Sequence, residues 1–223
     1  MLRAVLFDMD GTLLDTQRIY NECWRYAAKK LNFQGDIDAD IIAFAGMNRP
    51  DAIAYFKGKY GADFDVTPMM KLRDACEPEI MSQMGLKRKP GVMETLNQLQ
   101  QMGIRRVIAT GTNFERASRF LKATGIFDRF DAYLTGEMLT HSKPHPEIFL
   151  RAAEAVGCTP EGCVVAEDSH NGVRAGYAAG MRVVMIPDVQ SPTDEIHSML
   201  WHCIDTMDAL PALIKEANNN EIL

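Results

Sequence analysis

A four-residue apolar run, Ala4-Val5-Leu6-Phe7, breaks off at Asp8 and constrains this chain more than any other stretch. The run is too short for a helix and apolar at every position, the pattern of a strand buried on both faces of a parallel sheet. Asp10 follows Asp8 at the strand period of two, which places both carboxylates on one side of an extended segment. Gly11 frees the backbone to turn, and Thr12 offers a hydroxyl to tie the turn down. Open α/β sheets bind ligands at the carboxyl ends of their strands. Two acids so close together repel one another and call for a cation or a shared proton. Taken alone, the pair reads equally well as a capped turn with two solvated aspartates.

The rest of the chain decides how that strand is used. After Asp15 and Thr16 the period changes from strand to helix, with Ile19, Cys23, Tyr26, Ala27 and Leu31 at helical spacing. Further helical patterns cover Asp38–Ala45, Arg49–Tyr60 and Thr67–Met84, and no strand pattern occurs from Thr16 to about Gly85. Beyond Pro90-Gly91 the two periods alternate. Strands are expected at Arg106–Ala109, Ala132–Leu134, Cys163–Ala166 and Arg182–Ile186. Helices are expected at Val92–Met102, Glu115–Thr124, Pro146–Val156, Gly172–Ala179 and Asp205–Ala217, with Asn218–Asn220 frayed. Such alternation builds right-handed βαβ units and a parallel sheet covered on both faces. The expected fold is therefore α/β: a Rossmann-like parallel sheet core (1–15 plus 86–223) with an inserted helical cap (16–85).

Composition narrows the partners. A net charge of −6 without a basic block argues against nucleic acid. No apolar run reaches the ~18 residues of a membrane span, and the N-terminus lacks a signal-peptide pattern. Cys23, Cys76, Cys158, Cys163 and Cys203 form no CxxC pair and read as reduced thiols of a cytoplasmic protein. Oligomeric state leaves no mark in the sequence.

Three further stretches carry candidate chemistry. In VIATGTN a strand ends at Ala109, so Thr110 sits at the same sheet edge as Asp8. Gly111 allows close backbone approach, and Thr112 and Asn113 open a helix. Helix N-termini bind anions, although Thr and Asn are also ordinary N-caps. In THSKPHPEIF, Lys143 is held before Pro144 and flanked by His141 and His145. A lone loop lysine is ordinarily a solvated charge, both histidines read as local or substrate-facing groups, and no histidine pair has a metal-binding partner set. In VVAEDSHNGVRAG, Glu167 and Asp168 close an apolar strand. With Asp8 and Asp10 they bring four carboxylates to one end of one sheet, which needs a divalent cation, and all-oxygen ligation suits Mg2+.

DxDGT after an N-terminal strand, Thr110 after the second core strand, SKPHPEIF, and the acidic pair resemble, in order, the motifs of the haloacid dehalogenase-like (HAD) hydrolases. The match spans nearly the whole chain and lies with the helical-cap phosphatases and β-phosphoglucomutases. The resemblance implies a Mg2+-dependent phosphomonoesterase acting on a small phosphorylated metabolite, a sugar or polyol phosphate. Asp8 would be the nucleophile that forms an aspartyl-phosphate, and Asp10 the general acid and base, with a raised pKa that Asp8 does not share. Thr110, the Gly111 amide and Lys143 would hold the phosphoryl group. Asp8, Asp168 and the Asp10 backbone carbonyl would bind Mg2+, with Glu167 acting directly or through water.

In that family the cap supplies leaving-group contacts, which points to residues between Thr16 and Gly85 for specificity. Arg49 resembles a cap arginine of β-phosphoglucomutases and could clamp a second anionic group, or be a surface charge. The mutases carry histidine at the position of Tyr20 and tend to carry valine at that of Thr12, which weakens the mutase alternative. Asp10 is what phosphoryl chemistry needs and dehalogenation does not. A non-catalytic phosphate-binding module is disfavoured because every expected catalytic position is occupied.

Overall fold

The computed structural model describes residues 1–44, 47 and 49–220 of the chain. The chain divides into two compact units, one of residues 1–14 with 87–223 and one of residues 15–86.

The larger unit is a parallel sheet with helices between its strands. Strand β1 (Ala4–Phe7) is followed in this unit by α5 (Val92–Gln101), β2 (Arg105–Ala109), α6 (Phe114–Ala123) and β3 (Ala132–Leu134). Then come α7 (Glu147–Ala155), β4 (Cys163–Glu167), α8 (His170–Ala178), β5 (Arg182–Met185), α9 (Asp194–His197), β6 (His202–Cys203) and α10 (Leu210–Asn220). The strand order is β3-β2-β1-β4-β5-β6. β1 is central: Ala4–Phe7 lie opposite Arg105–Ile108 on one side and Cys163–Ala166 on the other. That placement explains its apolar run, since all four residues are fully buried. Burying a side chain the size of Phe7 stabilises by about 1.5–3 kcal/mol relative to exposure.

The chain builds β1, β2 and β3 outward on one side and returns to place β4 on the other. Strand order therefore reverses between β1 and β4, the position at which loops of an open α/β sheet part and leave a crevice.

Several bounds differ from expectation. β4 extends one residue further to include Glu167, and α8 begins at His170 rather than Gly172, capped by Ser169 Oγ accepting the Gly172 amide at 3.1 Å. β6 is a two-residue edge strand, too short for a periodic signal. The predicted fraying at 218–220 is overturned, because α10 continues to Asn220. Asn218 explains it: its Oδ1 accepts the Leu2 amide at 2.6 Å and its Nδ2 donates to the Leu2 carbonyl at 3.0 Å. A side-chain amide thus satisfies the backbone groups just before β1.

The smaller unit has four helices and no strand among its described residues: α1 (Gln17–Lys30), α2 (Ile37–Ala43), α3 (Arg49–Tyr60) and α4 (Thr67–Met84). The expected helix over Asp38–Ala45 starts one residue earlier, and Ala45 lies outside the described residues. Its core gathers on Phe56, whose ring centroid lies 5.9 Å from those of Trp24 and Phe64 and 6.0 Å from that of Tyr60. No helix among the described residues is long and apolar enough to cross a membrane.

Candidate active site

The ends of β1, β2 and β4 bring most of the expected residues together. The Asp8 amide donates to the Ala166 carbonyl at 2.9 Å, so sheet pairing runs one residue past β1 and holds Asp8 beside β4. The chain then turns, with the Leu13 and Leu14 amides donating to the Met9 carbonyl and the Gly11 amide to Leu14. Gly11 has a φ of +87°, and a Cβ there would lie 2.4 Å from Asp168 Oδ2. Only glycine therefore lets this turn close on Asp168. The Thr12 hydroxyl ties the turn down by donating to Asp168 Oδ1 at 2.8 Å.

Lys143 is the hub. A turn containing a cis Lys143–Pro144 peptide carries it to the sheet edge. Its ammonium donates to Asp8 Oδ1 at 2.5 Å, Glu167 Oε1 at 2.6 Å and the Ala109 carbonyl at 3.1 Å. All three donors of a lysine are thereby used. The charge is not the solvated one that a loop lysine suggests, since the side chain is 14% exposed.

Glu167 is fully engaged. Its Oε2 accepts the Asp168 amide, the Ser169 amide and the Ser169 hydroxyl, each at 2.9 Å, and Oε1 faces Lys143. Room for it comes from Gly172, where a Cβ would fall 1.8 Å from the Glu167 carboxyl carbon. Asp10 stands apart from this set, with its Oδ2 accepting the Thr112 hydroxyl at 2.7 Å.

Thr110 is buried; its amide donates to Leu134 at 3.0 Å and its hydroxyl accepts the Thr112 amide at 3.1 Å. Gly111 does not owe its identity to crowding, because a Cβ there would meet open space. The close approach lies across the loop at Gly136, where a Cβ would sit 2.1 Å from the Gly111 carbonyl oxygen. Arg49 belongs to the helical unit, where it begins α3 as an exposed residue with Nη1 3.8 Å from Asp74 Oδ2.

The electrostatics follow from crowding. Burial pushes the Asp8 carboxyl up to about 7; Lys143 opposes the rise, and Glu167 and Asp10 add to it. This differs from the expectation of an unshifted Asp8, because the protein's own single nearby ammonium does not offset burial among acids. Burial, then Glu167 and Asp8, also push Asp168 well above the ordinary carboxylate range. Burial works against a charged Lys143, but Asp8 and Glu167 outweigh it and hold its pKa above the usual value. Asp8, Glu167 and Asp168 can each offer an oxygen within 4.8 Å of the others.

The sequence reading missed the partners that aim these groups: Thr112 on Asp10, Thr12 on Asp168, Ser169 and Gly172 around Glu167. Thr112 and Ser169 stood in the motifs already marked, yet small hydroxyls beside helix starts read as caps. The expectation that no histidine pair has metal-binding company is also corrected, since His141, His145 and Glu147 offer ligand atoms within 4.8 Å of one another.

The profile of the haloacid dehalogenase-like hydrolases matches residues 2–180. The phosphorylated carbohydrates phosphatase of Thermotoga maritima is 30% identical over 81% of this chain and 82% of its own length. The fructose-1-phosphate phosphatase YqaB of Escherichia coli is 32% identical over 81% of this chain and 94% of its own. The solved β-phosphoglucomutase of Clostridium difficile shares the fold at a TM-score of 0.76 and 24% identity, covering 100% of this chain and 99% of that one. Helices α1–α4 follow β1 directly, and the family profile begins at Leu2 and runs through β4 and α8, so the chain belongs to the haloacid dehalogenase-like hydrolases, in their helical-cap, β-phosphoglucomutase-like branch.

Proposed function

We propose that the protein is a Mg2+-dependent phosphomonoesterase that acts on a small phosphorylated metabolite, a sugar or polyol phosphate, through an aspartyl-phosphate on Asp8. The observation that carries this reading is the division of labour between the two acids of the first motif. Asp8 is held by Lys143 beside Glu167 and Asp168, whereas the Asp10 carboxylate is held by a neutral hydroxyl, that of Thr112. A nucleophile needs cations beside it, and a group that gives and takes a proton needs a carboxylate oriented apart from the attacking one.

The donor set fits Mg2+. The Asp8 and Asp168 carboxylates lie close enough to share one ion, and the crowding that raises both is what a divalent cation relieves. Asp8, Asp168 and the Asp10 backbone carbonyl would hold the ion. Glu167, with four hydrogen bonds already on its oxygens, serves that group as the anchor of Lys143. Bound Mg2+ supplies neutralisation of charge on the nucleophile and the phosphoryl oxygens.

In the first half-reaction an Asp8 oxygen attacks phosphorus in line, the bond to the ester oxygen breaks, and Asp10 protonates that oxygen. In the second, Asp10 takes a proton from water, which attacks the same phosphorus, releasing phosphate and restoring Asp8. Thr110, the Gly111 amide and Lys143 stabilise the equatorial oxygens. Arg49 binds a second anionic group where a substrate has one. The carbohydrate phosphates named for the two relatives support the substrate class.

The test is phosphate release from sugar, polyol, glycolate and nucleotide monophosphates, with and without Mg2+. Selective, Mg2+-dependent release from sugar or polyol phosphates is the expected result. Silence across the panel, with isomerisation of a sugar phosphate in its place, would establish the β-phosphoglucomutase-type alternative. Silence in both assays with retained phosphate binding would leave a non-catalytic phosphate-binding module.

A further inference from the structure

The turn that carries Lys143 holds a second constellation of metal-ligand type, of different chemistry from the carboxylates it serves. His141 and His145 flank Lys143, and Glu147 opens α7. The imidazole rings of His141 and His145 stack with centroids 4.4 Å apart. His141 Nδ1 lies 3.2 Å from Glu147 Oε2. His145 Nδ1 accepts the Glu147 amide at 3.2 Å, a long bond that fixes the ring against the helix start. Glu147 is pinned independently, accepting the Thr140 amide at 2.9 Å and the His141 amide at 2.8 Å.

We infer that His141, His145 and Glu147 form a transition-metal site, fitted to Zn2+, on the loop that presents Lys143. The argument is geometric and chemical. Two ligands held about 2.0–2.1 Å from one Zn2+ at the tetrahedral angle stand about 3.3 Å apart. The His141 and Glu147 donor atoms already have that separation, and all three residues offer ligand atoms within 4.8 Å of one another. Two imidazoles and a carboxylate, with a fourth position open to water, form a zinc donor set, whereas Mg2+ prefers oxygen alone. Both histidines are exposed, so the ion reaches them from solvent. The carboxylate needs no reorganisation, because its backbone bonds aim it before any ion arrives, whereas the exposed His145 ring turns out of its stack on His141 to bring a nitrogen lone pair to the ion. A bound ion ties 141 to 147 across the turn whose middle residue is the Lys143 that contacts Asp8. Zn2+ at this position thus restrains the loop without entering the oxygen site.

The test is calorimetric titration of Zn2+ into the full-length protein kept in millimolar Mg2+, a readout independent of turnover and so of the phosphatase reading. Wild type is expected to bind one Zn2+ tightly. Loss of an outer partner alone typically weakens a metal site by about 10- to 100-fold, so His141→Gln and His145→Gln should each weaken Zn2+ by at least about tenfold. Asp168→Asn should leave the Zn2+ affinity unchanged. Circular dichroism establishes that each variant is folded, and either histidine variant alone suffices for the test. Zn2+ binding that survives both histidine changes and disappears with Asp168→Asn overturns the inference, as does an absence of tight binding to wild type.

Discussion

Two buried aspartates, one in each unit, show opposite uses of the same side chain. Asp40 in the helical unit is completely buried, and donors converge on it. Tyr55 and Tyr60 donate their hydroxyls to it at 2.7 Å, and the Lys59 ammonium completes the set. Burial pushes its pKa up, but Lys59, Tyr60 and Tyr55 outweigh that and hold it below the ordinary 3.8. Asp8 in the core unit has one ammonium and is crowded by further acids, and its pKa goes the other way, up to about 7. A buried charge on which three donors converge is architecture. A buried charge left in company with its own kind is held there by the rest of the fold, at a cost in stability, and marks chemistry.

The strongest way to break this contrast is to neutralise each acid in turn. Asp8→Asn removes the attacking oxygen's charge, so turnover should fall below about one per cent of wild type, the scale seen when a covalent nucleophile is lost. Thermal unfolding of the metal-free protein should be unchanged or shifted upward, because the substitution relieves crowding. Activity of several per cent in a clean preparation would refute the nucleophile assignment.

Gly172→Ala probes the same cluster without touching an acid. The added methyl would collide with the Glu167 carboxyl and displace the anchor of Lys143. Misplacing a catalytic group by about 1 Å can cost about 100-fold, and a loss of that order in kcat is expected, with far-UV dichroism retained. Wild-type kinetics in this variant would show that Glu167 does not position Lys143.

Asp40→Ala should act on stability alone, by about 2 kcal/mol in urea unfolding, the scale of lost hydrogen bonds to a charged group. The sign of its pH dependence is fixed by the lowered pKa. A carboxylate whose folded pKa is depressed contributes fully above its unfolded value and loses that contribution as pH falls through the folded one. The stability gap between wild type and Asp40→Ala should therefore be flat near neutrality and shrink on acidification below the ordinary 3.8. A gap that widened there would contradict the assigned partners.

The smallest effect is expected from Arg49→Ala. Arg49 is exposed and weakly paired with Asp74, so stability should hardly change. Its proposed role predicts a KM increase for a doubly anionic substrate of severalfold more than for a simple phosphate monoester. Equal effects on both substrates would dismiss the clamp.

Legibility followed the physics of each region. β1 could be read because a strand buried on both faces must be apolar at every position, and the abrupt Asp8 marks where it leaves the core. The helix periods of the insertion and the later βαβ alternation were equally plain. β6 was not, because two residues at a sheet edge carry no period. Nor was the ordered end of α10, which depends on an amide meeting the backbone at the other end of the chain.

By itself, then, the sequence determined the longer elements, the α/β class and the motif residues expected at strand ends, because periodicity and motif order are local properties of the chain. Tertiary structure alone decided which acid Lys143 serves, that Thr112 answers Asp10, that Thr12 answers Asp168, and that Gly172 makes room for Glu167. The first three pairings join residues far apart along the chain, and all four depend on direction and distance in space, which no spacing encodes.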